Sequence, residues 1–170
     1  MGAGKSRIGR ALATALGWRF VDFDDAVRVE TGLAVPEIFA THGETYFREA
    51  EARVGRRLLG EREVVLASGG GWAAAPGRLD EVPPGTETFW LRVSIDEALR
   101  RVEGEPDGRP LLDRPDAPEA AARLLAAREP FYRLARFTVD TDRRSVEDVT
   151  AGILGILATE HPGASQTEAE

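Results

Sequence analysis

A glycine-rich turn that delivers a lysine and a serine straight into a helix leaves few folds open. Residues 2–6 read Gly-Ala-Gly-Lys-Ser, and Ile8, Leu12, Ala15 and Leu16 then recur on one helical face up to Gly17, a C-cap. Such a turn can wrap backbone N–H groups around phosphates at a helix N-terminus, with Lys5 reaching the β- and γ-phosphates and Ser6 a Mg²⁺ ion. Only the second half of the usual G-x-x-x-x-G-K-[ST] pattern is present.

The rest of the chain alternates strand and helix. Residues 18–22 predict a strand, 24–31 a helix stopped by Gly32, and 35–41 and 44–59 two more helices. The apolar run 63–68 ends in Gly69-Gly70-Gly71, as a buried parallel strand entering a backbone-exposed turn would. Residues 86–93 predict a strand, followed by a capping box of Ser94 and Glu97. Residues 104–118, with four prolines and two glycines, read as a loop; a helix follows over 118–135, a strand over 136–140 and a helix over 145–159. The polar stretch 159–170 reads as a disordered tail, leaving one domain over 1–158. This alternation implies an α/β fold, a mainly parallel sheet covered on both faces, with ligands at the carboxyl ends of the strands.

Composition narrows the partners. The chain of 170 residues carries a net charge of −7, against the clustered basic surface that non-specific nucleic-acid binding needs. It has no cysteine, no apolar run of bilayer length and no leader-like start, so a soluble cytoplasmic protein is expected. Of its 22 basic residues one is a lysine, Lys5. A single lysine kept in an arginine-rich chain marks a position that needs a compact point charge rather than a planar fork.

Further candidates cluster at predicted strand ends. Asp22 and Asp24 are two apart, so in extended backbone both carboxylates point to one side; one can hold the water shell of a Mg²⁺ ion and the other accept a hydroxyl proton. Their plainer reading is helix capping, the role assigned to Asp25. Arg48 and Glu51 lie one helical turn apart and taken alone read as a surface ion pair. Near a triple glycine that lets backbone approach a ligand, Arg48 could instead fork onto a carboxylate. Arg109 sits in the proline-rich segment, as a lid arginine would, and Arg128 in the helix that follows. His42 and His161 have no metal-binding spacing.

The ordered set Gly-Ala-Gly-Lys-Ser at 2–6, Asp22-Phe23-Asp24, Phe39 to Glu44, Phe47 to Glu51, Ser68 to Gly71, Arg109 to Leu112 and Arg128 to Arg133 resembles the shikimate kinases from residue 2 to about residue 158. The resemblance implies a three-layer α/β/α P-loop kinase fold, with a five-stranded parallel sheet and a mobile lid over 104–118. It also implies transfer of the ATP γ-phosphate to the 3-hydroxyl of shikimate, in aromatic amino-acid biosynthesis. Gly2, Ala3, Gly4, Lys5, Ser6, Arg7, Arg101 and Arg109 would bind ATP, Arg101 stacking on adenine and Arg109 reaching the phosphates from the lid. Ser6 and Asp22 would position Mg²⁺. Asp24, Arg48, Gly70 and Arg128 would hold shikimate, with both arginines on its carboxylate and Asp24 as base; Phe39 and Glu51 would shape the pocket. Lys5, Asp24 and Arg109 form the expected catalytic set, in a monomer with ATP and shikimate as partners.

The departure lies at the start. The pattern places an apolar strand and an earlier glycine ahead of Gly2, so Met1 is expected to be an internal methionine with that strand upstream of it. Two other readings compete: a related small-molecule kinase such as a gluconate kinase, and a non-catalytic nucleotide-binding remnant.

Overall fold

The structure, a computed structural model, describes residues 2–102 and 117–162. The expected lid and its Arg109, and all but the first few residues of the expected tail, lie outside the described residues. In chain order the elements are α1 (Lys5–Leu16), β1 (Arg19–Asp22), α2 (Phe23–Thr31), α3 (Val35–Thr41), α4 (Gly43–Leu59), β2 (Val64–Ala67), α5 (Gly70–Ala73), β3 (Phe89–Arg92), α6 (Ile95–Val102), α7 (Ala117–Tyr132), β4 (Phe137–Asp140) and α8 (Val146–Glu160).

The strands form two parallel pairs. β1 lies beside β2 with Val21 opposite Leu66, and β3 beside β4 with Leu91 opposite Val139. Alternation along β2 shows how helices come to cover both faces. Val65 joins Ile8, Leu12, Val149 and Ile153 under α1 and α8, whereas Leu66 packs with Phe23, Val27, Ala50, Val54 and Leu58 beneath α2 and α4. Phe89, Leu91 and Val139 extend the first cluster, so α1 and α8 span both strand pairs. The result is the expected three-layer α/β/α arrangement.

Local signals account for most boundaries. Gly17 and Gly32 end α1 and α2 in the left-handed conformation, and Ser145 caps α8 by accepting from the Asp148 amide at 3.0 Å. Ser94 likewise accepts from the Glu97 amide at 3.3 Å, but the Glu97 carboxylate turns to Arg100 and Arg101 instead of closing the box.

Two expectations need correcting. No extended residue separates β1 from α2: Asp22 is itself the N-cap, accepting from the Asp24 amide at 3.0 Å, so Asp24 stands in the first helical turn and not on a strand beside it. The capping role given to Asp25 therefore belongs to Asp22, and Asp25 faces Arg28 at 3.4 Å. Nor do Gly70 and Gly71 form a mere turn. They open α5, with the Gly69 carbonyl accepting from Trp72 N at 3.1 Å. Among the described residues no helix is long and apolar enough to cross a membrane.

Candidate active site

The phosphate-binding turn precedes α1. Gly2 and Gly4 take φ values of 68° and 78°, a region closed to most side chains, and Gly4 occupies the N-cap position without a capping side chain. No acidic residue stands in the first turn of α1, so its open N–H groups and positive dipole end remain suited to an anion. A Cβ on Gly2 would lie 2.7 Å from the backbone of Ala98 in α6, which leaves only glycine able to fit there.

Arg101, on the same helix, ties this turn to the far end of β4. Its guanidinium donates to the Gly2 carbonyl at 3.3 Å, to the Thr141 hydroxyl at 3.2 Å and to Glu97 at 2.8 Å. Burial brings Glu97 no protection from ionisation: the Arg100 guanidinium, against that burial and aided by Arg101, holds its carboxyl down to about 2.

A short chain of polar contacts leads from the turn toward a second centre. The Ser6 hydroxyl donates to Asp22 Oδ2 at 2.6 Å, and Asp22 Oδ1 accepts from the Asp24 amide. One carboxylate thus serves the nucleotide turn and the helix start that carries Asp24. Lys5 and Ser6 are half-buried, while Arg7 and Asp24 are exposed.

That second centre forms on the three glycines, each overlain by a different polar side chain. A Cβ on Gly69 would stand 2.5 Å from Glu51 Oε1 and 3.9 Å from Asp24 Oδ1. On Gly70 it would meet the Tyr132 hydroxyl at 2.7 Å and Arg128 Nη1 at 3.3 Å; on Gly71, Arg48 Cζ at 2.6 Å. Side chains from α2, α4 and α7 therefore converge where the glycines leave room, and any other residue would push them away. Asp24, Arg48, Gly70, Arg128 and Glu51 are gathered here as the sequence anticipated. Phe39, 41% exposed, stacks on Phe47 at 5.0 Å, and the Arg48 guanidinium lies over the Phe47 ring at 5.1 Å.

The Arg48–Glu51 pair is not the surface bridge that its spacing suggests. Arg48 Nη1 donates to Glu51 Oε2 at 2.8 Å, and Glu51 is 1% exposed. Burial pushes the Glu51 carboxyl up, with Arg48 opposing and the Asp24 charge adding to the rise. Burial also works against the charged form of Arg48, but Glu51 and then Glu44 outweigh it and raise its pKa. Glu51 Oε1 is buried with no hydrogen-bond partner among the described residues. The buried Glu51 carboxylate thus holds the Arg48 guanidinium in place over the glycines and lies within electrostatic reach of Arg128.

A half-buried pair of arginines and an Asp thus stand beside the three glycines, and Ser6 and Asp22 join that Asp to the glycine-rich turn before α1. The shikimate kinase family model matches residues 1–158. The chain belongs to the shikimate kinase family. Among its relatives, the shikimate kinase of Nitrobacter winogradskyi is 43% identical over 92% of this chain and 73% of its own length. That of Mycobacterium avium is 46% identical over 92% of this chain and 88% of its own. A solved shikimate kinase from Acinetobacter baumannii in complex with shikimate superposes with a TM-score of 0.86 at 32% identity, covering 94% of this chain and 89% of the other. The fold and the ATP-dependent phosphotransferase chemistry of shikimate kinases thus extend to this chain.

Beside the residues singled out from the sequence, Tyr132 also reaches the glycines, its hydroxyl donating to the Gly70 carbonyl at 2.9 Å. Tyr132 was signalled by its place four residues after Arg128, which puts both on one face of α7.

Proposed function

We infer that this chain transfers the γ-phosphoryl group of ATP to the 3-hydroxyl of shikimate, through the residues named above. The observation that carries the assignment of roles is the position of Asp24. Its carboxylate lies 3.9 Å from the Cβ position of Gly69, beside the arginine-lined centre, and its amide is held by the carboxylate that also holds Ser6.

The nucleotide's phosphates would sit on the N–H groups of residues 2–7, with Lys5 placed to offset charge gathering on the transferring group. Ser6 and Asp22 offer a hydroxyl and a carboxylate 2.6 Å apart, hard oxygen donors of the kind Mg²⁺ takes alongside phosphate oxygens and water. That ion, when bound, would supply charge neutralisation at the phosphates. Arg48 and Arg128 would take the acceptor's carboxylate and so orient its ring. Asp24 would accept the hydroxyl proton as that oxygen attacks phosphorus. Positioning and electrostatics suffice for such a transfer, and no covalent enzyme intermediate is invoked. The protein would act as a cytoplasmic monomer without nucleic-acid or membrane partners.

Shikimate-dependent release of ADP from Mg²⁺-ATP tests the assignment. Asp24→Asn should lower turnover by about 10²–10⁴-fold while leaving ATP binding intact. Turnover in Asp24→Asn equal to that of the parent protein would remove Asp24 from its role, and ATP binding without any response to shikimate would remove the acceptor.

A further inference from the structure

Arg128 and Tyr132 reach the same glycine from one face of α7. A Cβ on Gly70 would meet Arg128 Nη1 at 3.3 Å and the Tyr132 hydroxyl at 2.7 Å. The Tyr132 hydroxyl donates to the Gly70 carbonyl at 2.9 Å, and the ring leans on Trp90 of β3 at 6.0 Å between centroids. Trp90 thereby supports the ring from the side of the sheet while the Tyr132 hydroxyl is spent on the first residue of α5. This is a specific connection between the start of α5 and α7, 62 residues apart in sequence.

We propose that Tyr132 is a positioning residue for the acceptor's carboxylate: its hydroxyl latches α7 to Gly70 and so fixes the span between Arg128 and Arg48. This rests on the reading above that the two arginines share that carboxylate. The span has two ends. Arg48 is held from α4, over the Gly71 position, by Glu51 at 2.8 Å and Glu44 at 3.1 Å. Arg128 is delivered by α7, and the Tyr132 hydroxyl one turn further along sets how that helix stands against the glycines. A fork of two guanidinium groups discriminates an anion only while its opening matches the anion, and displacement on the order of 1 Å costs much of the benefit.

The experiment compares the full-length protein and Tyr132→Phe as kinases of shikimate and of its neutral methyl ester, with the melting temperature read alongside. The phenyl ring keeps the Trp90 contact and loses only the hydroxyl. The KM for shikimate should rise about three- to tenfold, the scale of one hydrogen bond lost through a positioned group, with kcat and the KM for ATP within about twofold. The preference for acid over ester in kcat/KM should shrink by the same factor. A Tyr132→Phe protein that keeps the full acid-over-ester preference overturns the proposal, whatever happens to its stability. A parent protein that uses acid and ester equally well overturns the carboxylate reading itself, and the latch with it. Gly70→Ala approaches the same junction from the start of α5, where its methyl group would press on the hydroxyl, so it should show the same narrowed preference even if Tyr132→Phe fails to fold. An unchanged preference in Gly70→Ala counts equally against the latch.

Discussion

Gly71→Ala should loosen acceptor binding without unfolding the protein. Gly71 lies outside the left-handed region, so alanine meets no backbone strain there and slightly favours the short helix α5. The new methyl carbon would stand 2.6 Å from Arg48 Cζ and 2.7 Å from Nη2. Unstrained carbon contacts begin near 3.5 Å, so the guanidinium must retreat by about 1 Å, and as the end of a flexible side chain it can do so without moving α4. The retreat would stretch the 2.8 Å bond to Glu51 and draw the guanidinium from the acceptor's carboxylate that we propose it holds. A hydrogen bond between charged partners is worth about 1.5–3 kcal/mol. At about 1.4 kcal/mol per tenfold, that predicts a KM for shikimate raised by about 10- to 100-fold, with the KM for ATP unchanged. Steady-state ADP release at saturating Mg²⁺-ATP measures it, with a circular-dichroism melt to establish folding. In an Arg48→Ala background the same substitution should cost nothing further, because the group it displaces is gone. A folded Gly71→Ala protein with the parent KM for shikimate would refute the reasoning.

Other expectations concern the scaffold. Gly55→Ala would put a methyl group 2.6 Å from Trp72 Nε1 and 3.2 Å from Phe23 Cε2 in the buried core, and chemical denaturation should show a loss of about 1–3 kcal/mol. Gly155→Ala, on the exposed face of α8 with open space around it, should gain about 0.5–1 kcal/mol in the same assay and leave activity alone. Because Glu97 is held down to about 2 in the folded protein against an ordinary 4.5, its contribution to stability is complete above 4.5 and is lost as pH falls through 2. The stability difference between the parent protein and Glu97→Gln should therefore be constant above pH 4.5 and shrink toward pH 2 in acid titrations.

Much of the architecture was legible because the signals were local. The phosphate-binding turn, the caps at Gly17, Gly32 and Ser145, and the apolar run of β2 each depend on residues close in sequence. The β1–α2 junction was misplaced because three nearby aspartates are equally good caps, and the choice falls to burial of Phe23, 1% exposed, which starts the helix immediately after Asp22. Helix α5 was hidden by its own composition. Two glycines are poor helix formers, and they are admitted here because Tyr132, Arg128 and Arg48 occupy the space their side chains would need. The same long-range crowding conceals what Glu51 does. From an i, i+3 spacing it resembles any solvated pair, and only the closeness of the glycine backbone shows that its carboxylate is roofed over.

Trp72 follows the last of the three glycines, 6% exposed, its ring edge-on to Phe23 at 5.3 Å and 73°. Of the three tryptophans it alone is buried; Trp18 is 42% exposed and Trp90 half-buried. The protein therefore contains its own optical reporter. An indole whose N–H lacks a partner among the described residues, wedged between the three glycines and the helix that begins at Phe23, has emission that follows the polarity around that wedge. Once Trp18 and Trp90 are replaced by phenylalanine, tryptophan fluorescence can read the glycine junction directly, with no label attached.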